Sequence, residues 1–262
     1  MNPADIARGF NRATFYDEAA RVQARTAILL RDQLAGIYTA RAAPRRILEI
    51  GSGTGLMTAA LLNLFPQAEL IVTDLSRDML ARCREKMRSQ YPARPVTYIA
   101  MDGERPSLIP SFDLICSNFC VQWFQNRRES FEHLRRLLRD EGVMALSTLA
   151  EGSFREWHMA CAAAGISAGF GPWPSLTTLT AEFPQEGTST WAAHRLTDPV
   201  GSGRQFLRDI RRIGAAPSGF AKRSLSPQAL TRVLTLFDQA GTSMTYEVAI
   251  GIYFAQEARH EG

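Results

Sequence analysis

The chain has 262 residues, 45% of them hydrophobic, and 30 Lys and Arg stand against 26 Asp and Glu for a net charge of +4. That length suits one α/β domain with an insertion, or a large and a small domain, and so modest a positive excess does not imply a nucleic-acid partner. No apolar run approaches the ~20 residues of a bilayer span. Met1 to Gln23 is polar and mixed in charge, so neither a signal nor a transit peptide is expected. Cys83, Cys116, Cys120 and Cys161 lack C-x-x-C spacing, so free thiols in a reducing cytoplasm are expected, with no zinc site and no disulfide framework.

In chain order, 15–35 reads as an amphipathic helix with Val22, Ile28, Leu29 and Leu34 on its apolar face. Ile47 to Ile50 is a short buried strand carrying Glu49. Gly51, Gly53 and Gly55 follow at alternate positions, and a helix starts at Leu56. Leu70 to Asp74 is a second buried strand ending in a carboxylate. Ser76 is placed to N-cap a helix over 77–89, with Asp78 in its positive first turn. Strands are expected at 96–102 and 112–118, the second leading into the polar-aromatic loop of Gln122 and Trp123. A helix over 127–139 and an Asp140-Glu141-Gly142 turn then feed a strand from Val143 to Leu149. Beyond it, 160–184 is rich in small residues, aromatics and prolines, as a helical lid would be. A basic helix is expected over 201–213, and a helix starts at Ser226-Pro227. A Gly241 turn and a strand from Tyr246 to Phe254 close the pattern, as a hairpin at the sheet edge.

Strands alternating with helices at this spacing predict an α/β fold with a mostly parallel sheet covered on both faces, and ligands at the carboxyl ends of its strands. A strand, a tight glycine turn and a helix N-terminus make the entry to a nucleotide-type pocket. Leu56 stands where the dinucleotide fingerprint needs its third glycine, so a nucleoside without a pyrophosphate is favoured, and S-adenosylmethionine fits. Asp74 is placed to accept from a ribose diol, or else is a helix-capping Asp. Asp102 accepts from an adenine amino group, or is a turn Asp. Met79 lines the adenine or belongs to the core. Ser117 and Asn118 border the methionine end, or serve a turn.

The set Glu49-x-Gly51-x-Gly53-x-Gly55, Asp74-Leu75-Ser76-x-x-Met79-Leu80, Asp102 and Phe112-Asp113-Leu114 resembles the class I S-adenosylmethionine-dependent methyltransferases. Further pieces extend the likeness over nearly the whole chain. They are Phe10-x-Arg12-Ala13, Tyr16-Asp17-x-Ala19 with Gln23, Ser117-Asn118-x-x-Val121-Gln122-Trp123, Thr148-Leu149-x-x-Gly152-Ser153-x-x-Glu156, Ile213-Gly214-Ala215, and Met244-Thr245-Tyr246 with Gly251. These are similar to the malonyl-acyl carrier protein O-methyltransferases of biotin synthesis. Met101 stands where that family usually has glycine.

The resemblance implies a Rossmann-like, mostly parallel seven-stranded sheet with helices on both faces and a helical lid. It implies an N-terminal helical cap over 1–40, a cofactor-binding core over 41–150, a lid or substrate insertion with an edge strand over 151–225, and a completing helix and strand over 226–262. S-adenosylmethionine is then expected at Glu49, Gly51, Ser52, Gly53, Gly55, Asp74, Leu75, Met79, Asp102, Gly103, Ser117 and Asn118. The reaction implied is methylation of the free carboxylate of malonyl-acyl carrier protein or malonyl-CoA, starting pimeloyl synthesis. It needs positioning and not a general base, because that carboxylate is already ionised. Arg208 and Tyr16 are expected to clamp it, with Gln122, Trp123, Arg211, Arg212, Lys222 and Arg223 facing the substrate or an acidic carrier. A monomer without metal or nucleic acid is expected. The alternatives are a methyltransferase for another small carboxylic acid or hydroxylated metabolite, a nicotinamide-dependent oxidoreductase, and a silent binding subunit.

Overall fold

The computed structural model describes residues 3–11, 16–214 and 226–256. Seven strands form one sheet in the order β3-β2-β1-β4-β5-β7-β6. They are β1 (Arg46–Ile50), β2 (Glu69–Asp74), β3 (Val96–Ala100), β4 (Phe112–Asn118), β5 (Leu138–Leu149), β6 (Thr188–Pro199) and β7 (Ser243–Phe254). β1 to β5 pair in parallel, while β7 runs antiparallel to both β5 and β6.

The central strands are apolar on both faces, as a sheet covered on both sides requires. Ile47, Leu70, Val72, Leu114 and Cys116 share one core. The alternate residues Leu48, Ile50, Ile71 and Ile115 share the other. Helices α4 (Leu56–Leu64) and α5 (Arg77–Gln90) pack against the first face, and α6 (Arg127–Arg135) against the second. The strand order reverses between β1 and β4, and the loops after these two strands lie at that switch point, where open α/β sheets bind ligands.

Several expectations need correction. The first long helix is two, α2 (Tyr16–Ala19) and α3 (Arg21–Ile37), divided at Ala20. Its buried face carries Val22, Ala27, Leu30 and Leu34, whereas Ile28 is half exposed. A shorter helix precedes it, α1 (Pro3–Asn11). The helix expected to reach 139 stops at Arg135, because β5 already pairs at Leu138 with Phe112. The register then shifts so that Leu114 meets Val143, and Glu141 takes a φ of 58°. The expected turn at 140–142 is therefore a bulge within one strand. The terminal strand is not at the edge, since β6 pairs along its whole length and takes that position.

The segment between β5 and β6 holds α7 (Arg155–Ala163) and α8 (Leu176–Glu182). After β6 come α9 (Gly203–Arg212) and α10 (Pro227–Ala240), each N-capped by a serine hydroxyl, Ser202 and Ser226. Arg21 joins α3 to this part: its guanidinium reaches Asp198 at 2.7 Å and Asp209 at 3.4 Å. Among the described residues, no helix is long and apolar enough to cross a membrane.

Candidate functional site

Gly51, Gly53 and Gly55 have φ of 71°, 54° and 92°, the left-handed region that favours glycine. The backbone N–H groups of Gly51 and Ser52 both donate to Thr73 O at 2.9 Å, tying the loop to the end of β2. A Cβ on Gly51 would overlap Cys120 Sγ, so the loops after β1 and β4 touch there.

Asp74 holds the same loop from the other side. Its Oδ2 accepts the Gly53 N–H at 2.8 Å and its Oδ1 accepts the Ser76 N–H at 2.7 Å. A carboxylate has about four lone-pair sites, so capacity remains for a ligand. Burial pushes its pKa up to about 6, against the opposing effect of those two donors. Glu49, behind the loop, accepts from the Thr58 hydroxyl at 2.7 Å, and burial, aided by the charge of Asp74, pushes it up to about 8.

These groups line a cavity of about 910 Å³, its mouth included. Of the residues expected to bind the donor, Glu49, Gly51, Ser52, Gly53, Asp74, Leu75, Asp102, Gly103 and Asn118 line it. Asp102 also accepts the Glu104 N–H at 2.9 Å, so it serves a turn and the cavity together. Asn118 is fixed at both ends of its amide, donating to Gln23 O at 3.1 Å and accepting from Ser147 Oγ at 2.8 Å.

The N-terminal helices cover the opening. Ile6, Ala7, Phe10 and Tyr16 line it, and the Phe10 and Trp123 rings meet edge to face at 5.6 Å. Ser76 Oγ donates to Asn11 at 2.5 Å, Lys86 pairs with Asp17 at 2.8 Å, and the Thr54 hydroxyl donates to the same carboxylate. The Tyr16 phenol lies against Gly53, and burial together with Asp74 and Asp17 raises its pKa far above the ordinary value.

Three of the expected donor-binding residues, Met79, Gly55 and Ser117, do not reach the cavity, and neither does Arg208 of the expected clamp. Met79 is buried one turn into α5, where its backbone N–H caps to Ser76 Oγ. Gly55 backs onto Cys83 and Met87, letting α4 approach α5 closely. Ser117 is buried and donates to Ile50 O at 2.9 Å. Arg208 is exposed on α9 and bonds Gln205, because Phe206, Asp209 and Ile210 take that helix's inward face. The clamp of Arg208 with Tyr16 is thus not assembled. Arg211 is exposed on the same helix and Arg212 half-buried, while Lys222 and Arg223 lie outside the described residues.

Phe10 and Gln23 were visible as motif residues without a role, and Cys120, Glu104 and Phe124 carried no signal as lining residues. Gln122 lines a second chamber instead of the first, and Trp123 lines both.

The comparisons with known proteins fit this geometry. Residues 48–144 match the family described as a methyltransferase domain. The Malonyl-[acyl-carrier protein] O-methyltransferase of Magnetococcus marinus is 32% identical over 250 residues, 95% of this chain and 91% of that protein. The chain belongs to the malonyl-[acyl-carrier protein] O-methyltransferase family. The biotin biosynthesis bifunctional protein BioCD of Bordetella avium is 36% identical over 248 residues, 94% of this chain, which spans about half (51%) of that longer protein.

Among solved structures, the YcgJ protein of Bacillus subtilis superposes with a TM-score of 0.62 at 16% identity, covering 87% of this chain and 99% of that one. The phosphoethanolamine N-methyltransferase 2 of Haemonchus contortus, solved with S-adenosyl-L-methionine, gives 0.55 at 18% identity, covering 87% and 52%. These two establish the fold. The chain is a Rossmann-like O-methyltransferase whose methyl donor is S-adenosylmethionine.

The cavity fits that donor by its chemistry. Glu49, Asp74, Asp102 and Glu104 line it, and no Lys, Arg or His does among the described residues. Such a site favours a sulfonium cation, and the glycine cradle admits a ligand against the backbone.

Proposed function

We propose that this chain methylates the free carboxylate of a malonyl group carried by acyl carrier protein. The observation that carries the reading is a donor cavity lined by acids and, among the described residues, by no Lys, Arg or His, adjoining an aromatic chamber, in a chain of this family. When bound, S-adenosylmethionine supplies an electrophilic methyl on a positively charged sulfur.

Each side chain then has a bounded task. Asp74 keeps the glycine loop in shape and accepts from the ribose hydroxyls. Asp102, beside Gly103, accepts from the adenine amino group, and the immobilised Asn118 borders the methionine end. Asp74 faces the sulfonium with negative charge, and the bound cation in turn favours the ionised form of Glu49. Tyr16 keeps its proton and acts as a hydrogen-bond donor, not as a base. Phe10, Tyr16 and Trp123 exclude water, which strengthens every charge interaction inside.

The malonyl carboxylate is an anion at neutral pH and needs no deprotonation. Holding its oxygen in line with the methyl is what remains for the protein to do. As the methyl passes from sulfur to the carboxylate oxygen, the anion becomes a neutral ester and the sulfonium a neutral thioether, so the attraction between the two reactants is lost, which favours release.

In this reading, 1–40 caps the site, 41–150 holds the donor, 151–225 receives the acceptor, and 226–262 completes the sheet. The exposed Arg204, Arg208 and Arg211 of α9, with Arg212, Lys222 and Arg223, meet the acidic carrier. The enzyme works as a cytoplasmic monomer.

The test is a panel of acceptors with methyl-labelled S-adenosylmethionine: malonyl-acyl carrier protein, malonyl-CoA, acetyl-acyl carrier protein and free small acids. Label on the malonyl thioesters, greatest on the carrier-bound one, is expected. Label confined to a free acid overturns the reading.

A further inference from the structure

Beside the donor cavity lies a second chamber, separated from it by a partition of Gln23, Phe119 and Trp123, which line both. Phe119 reaches the partition because it sits at a φ of 53°, with its N–H donating to Ser147 Oγ at 3.0 Å. The rest of the wall is mostly aromatic and aliphatic, including Phe154, Trp173, Ile213 and Tyr246. Among the described residues no charged side chain lines it.

Among the described residues, two side chains of this wall each carry a buried polar atom without a partner: Gln122 Oε1 and Trp173 Nε1. The orientation of the Gln122 amide follows from its neighbour. Nε2 donates to Phe119 O at 2.8 Å, and a carbonyl can only accept, so the free atom of Gln122 is the acceptor oxygen. The indole Nε1–H is a donor only. Leaving either group dry and unpaired is costly, and unpaired polar atoms at a cavity wall mark where a ligand completes the set.

One neutral donor and one neutral acceptor do not suit the reacting end of the substrate. A carboxylate or a thioester carbonyl satisfies Trp173 but leaves the Gln122 oxygen facing another acceptor. A secondary amide satisfies both. Carrier-bound and coenzyme A thioesters present such an amide on the arm next to their sulfur.

We propose that this chamber binds that amide, its C=O accepting from Trp173 Nε1 and its N–H donating to Gln122 Oε1, thereby placing the malonyl end at the partition. The proposal rests on the malonyl-thioester reading above. Gln122 and Trp173 are positioning residues in it.

The experiment compares small malonyl thioesters whose arm holds an amide (the N-acetylcysteamine thioester), an ester in its place, or neither. With wild-type enzyme, KM is expected to rise about tenfold from amide to ester, the loss of one buried hydrogen bond, with kcat changed less than about twofold. Gln122→Met should abolish the amide-over-ester preference. Trp173→Phe should raise KM about tenfold for amide and ester arms alike and leave the bare thioester unaffected. S-adenosylhomocysteine affinity should hold in both variants.

Equal wild-type KM for amide and ester arms overturns the proposal without any variant. So does a variant that weakens all three substrates equally. Methylation of none of the three by wild-type enzyme, with carrier-bound malonyl also unmodified, overturns the underlying function, a result distinct from either.

Discussion

Asp74 accepts the Gly53 N–H at 2.8 Å, so the carboxylate expected to meet the ribose also holds the glycine turn in its ligand-binding shape. Asp74→Asn keeps the volume, but it replaces a charged acceptor with an amide that can offer only one oxygen to Gly53 and Ser76. Loss of about 1.5–3 kcal/mol of charge-assisted hydrogen bonding predicts S-adenosylhomocysteine binding weaker by about 10- to 100-fold. Isothermal titration checks it, and affinity within twofold of wild type would count against this double role.

The two buried acids make stability and donor affinity depend on pH in opposite directions. Burial pushes Glu49 up to about 8 and Asp74 up to about 6, above their unfolded values of 4.5 and 3.8. The folded protein therefore binds more protons than the unfolded chain between those values, and its stability falls as pH rises from about 4 through 8. A bound sulfonium favours the ionised acids, so S-adenosylmethionine affinity should rise over the same window. Glu49→Gln should flatten both trends, as thermal melts and titrations at pH 5 to about 8.5 would show. A melting profile as steep in the variant as in wild type would remove Glu49 from the account.

Gly51 is irreplaceable for two reasons that can be separated. Gly51→Ala meets a left-handed φ of 71° and overlaps Cys120, for a combined cost of about 2–4 kcal/mol. Adding Cys120→Gly removes the overlap alone and should restore about half of the loss in denaturant titrations. No recovery would mean that backbone conformation dominates.

Arg21 couples three elements distant in sequence. Asp198 and Asp209 are nearly buried, while Arg21 is two-fifths exposed, so solvent screening reduces what the pairs contribute. Arg21→Ala is expected to destabilise by about 1–3 kcal/mol, a Tm lower by several degrees, and Arg21→Lys should recover little because Asp198 is held by the guanidinium fork. A Tm unchanged in Arg21→Ala would make the cluster incidental.

The donor half of the molecule was legible because it is local. Strand, glycines, helix and capping Ser76 lie within thirty-odd residues, and period and turn chemistry report on neighbours in sequence. Met79 and Ser117 look like site residues in the sequence because a strand or helix terminus does not say which way the next side chain turns. Arg208 fails for the same reason: it lies two residues from both Phe206 and Ile210, on the opposite side of α9. The pairing of β6 with β7 and the placing of Trp173 and Gln122 on one chamber bring together residues about fifty apart, through segments of weak periodicity, and no local pattern encodes them.

Intact-protein mass spectrometry of the carrier most directly tests the central claim, that the acceptor atom is a free malonyl carboxylate. Malonyl-acyl carrier protein incubated with enzyme and S-adenosylmethionine should gain the mass of one CH2, a methyl in place of the carboxyl hydrogen, and acetyl-acyl carrier protein, which lacks the carboxylate, should gain nothing. Equal labelling of the two, or labelling of neither, would contradict it.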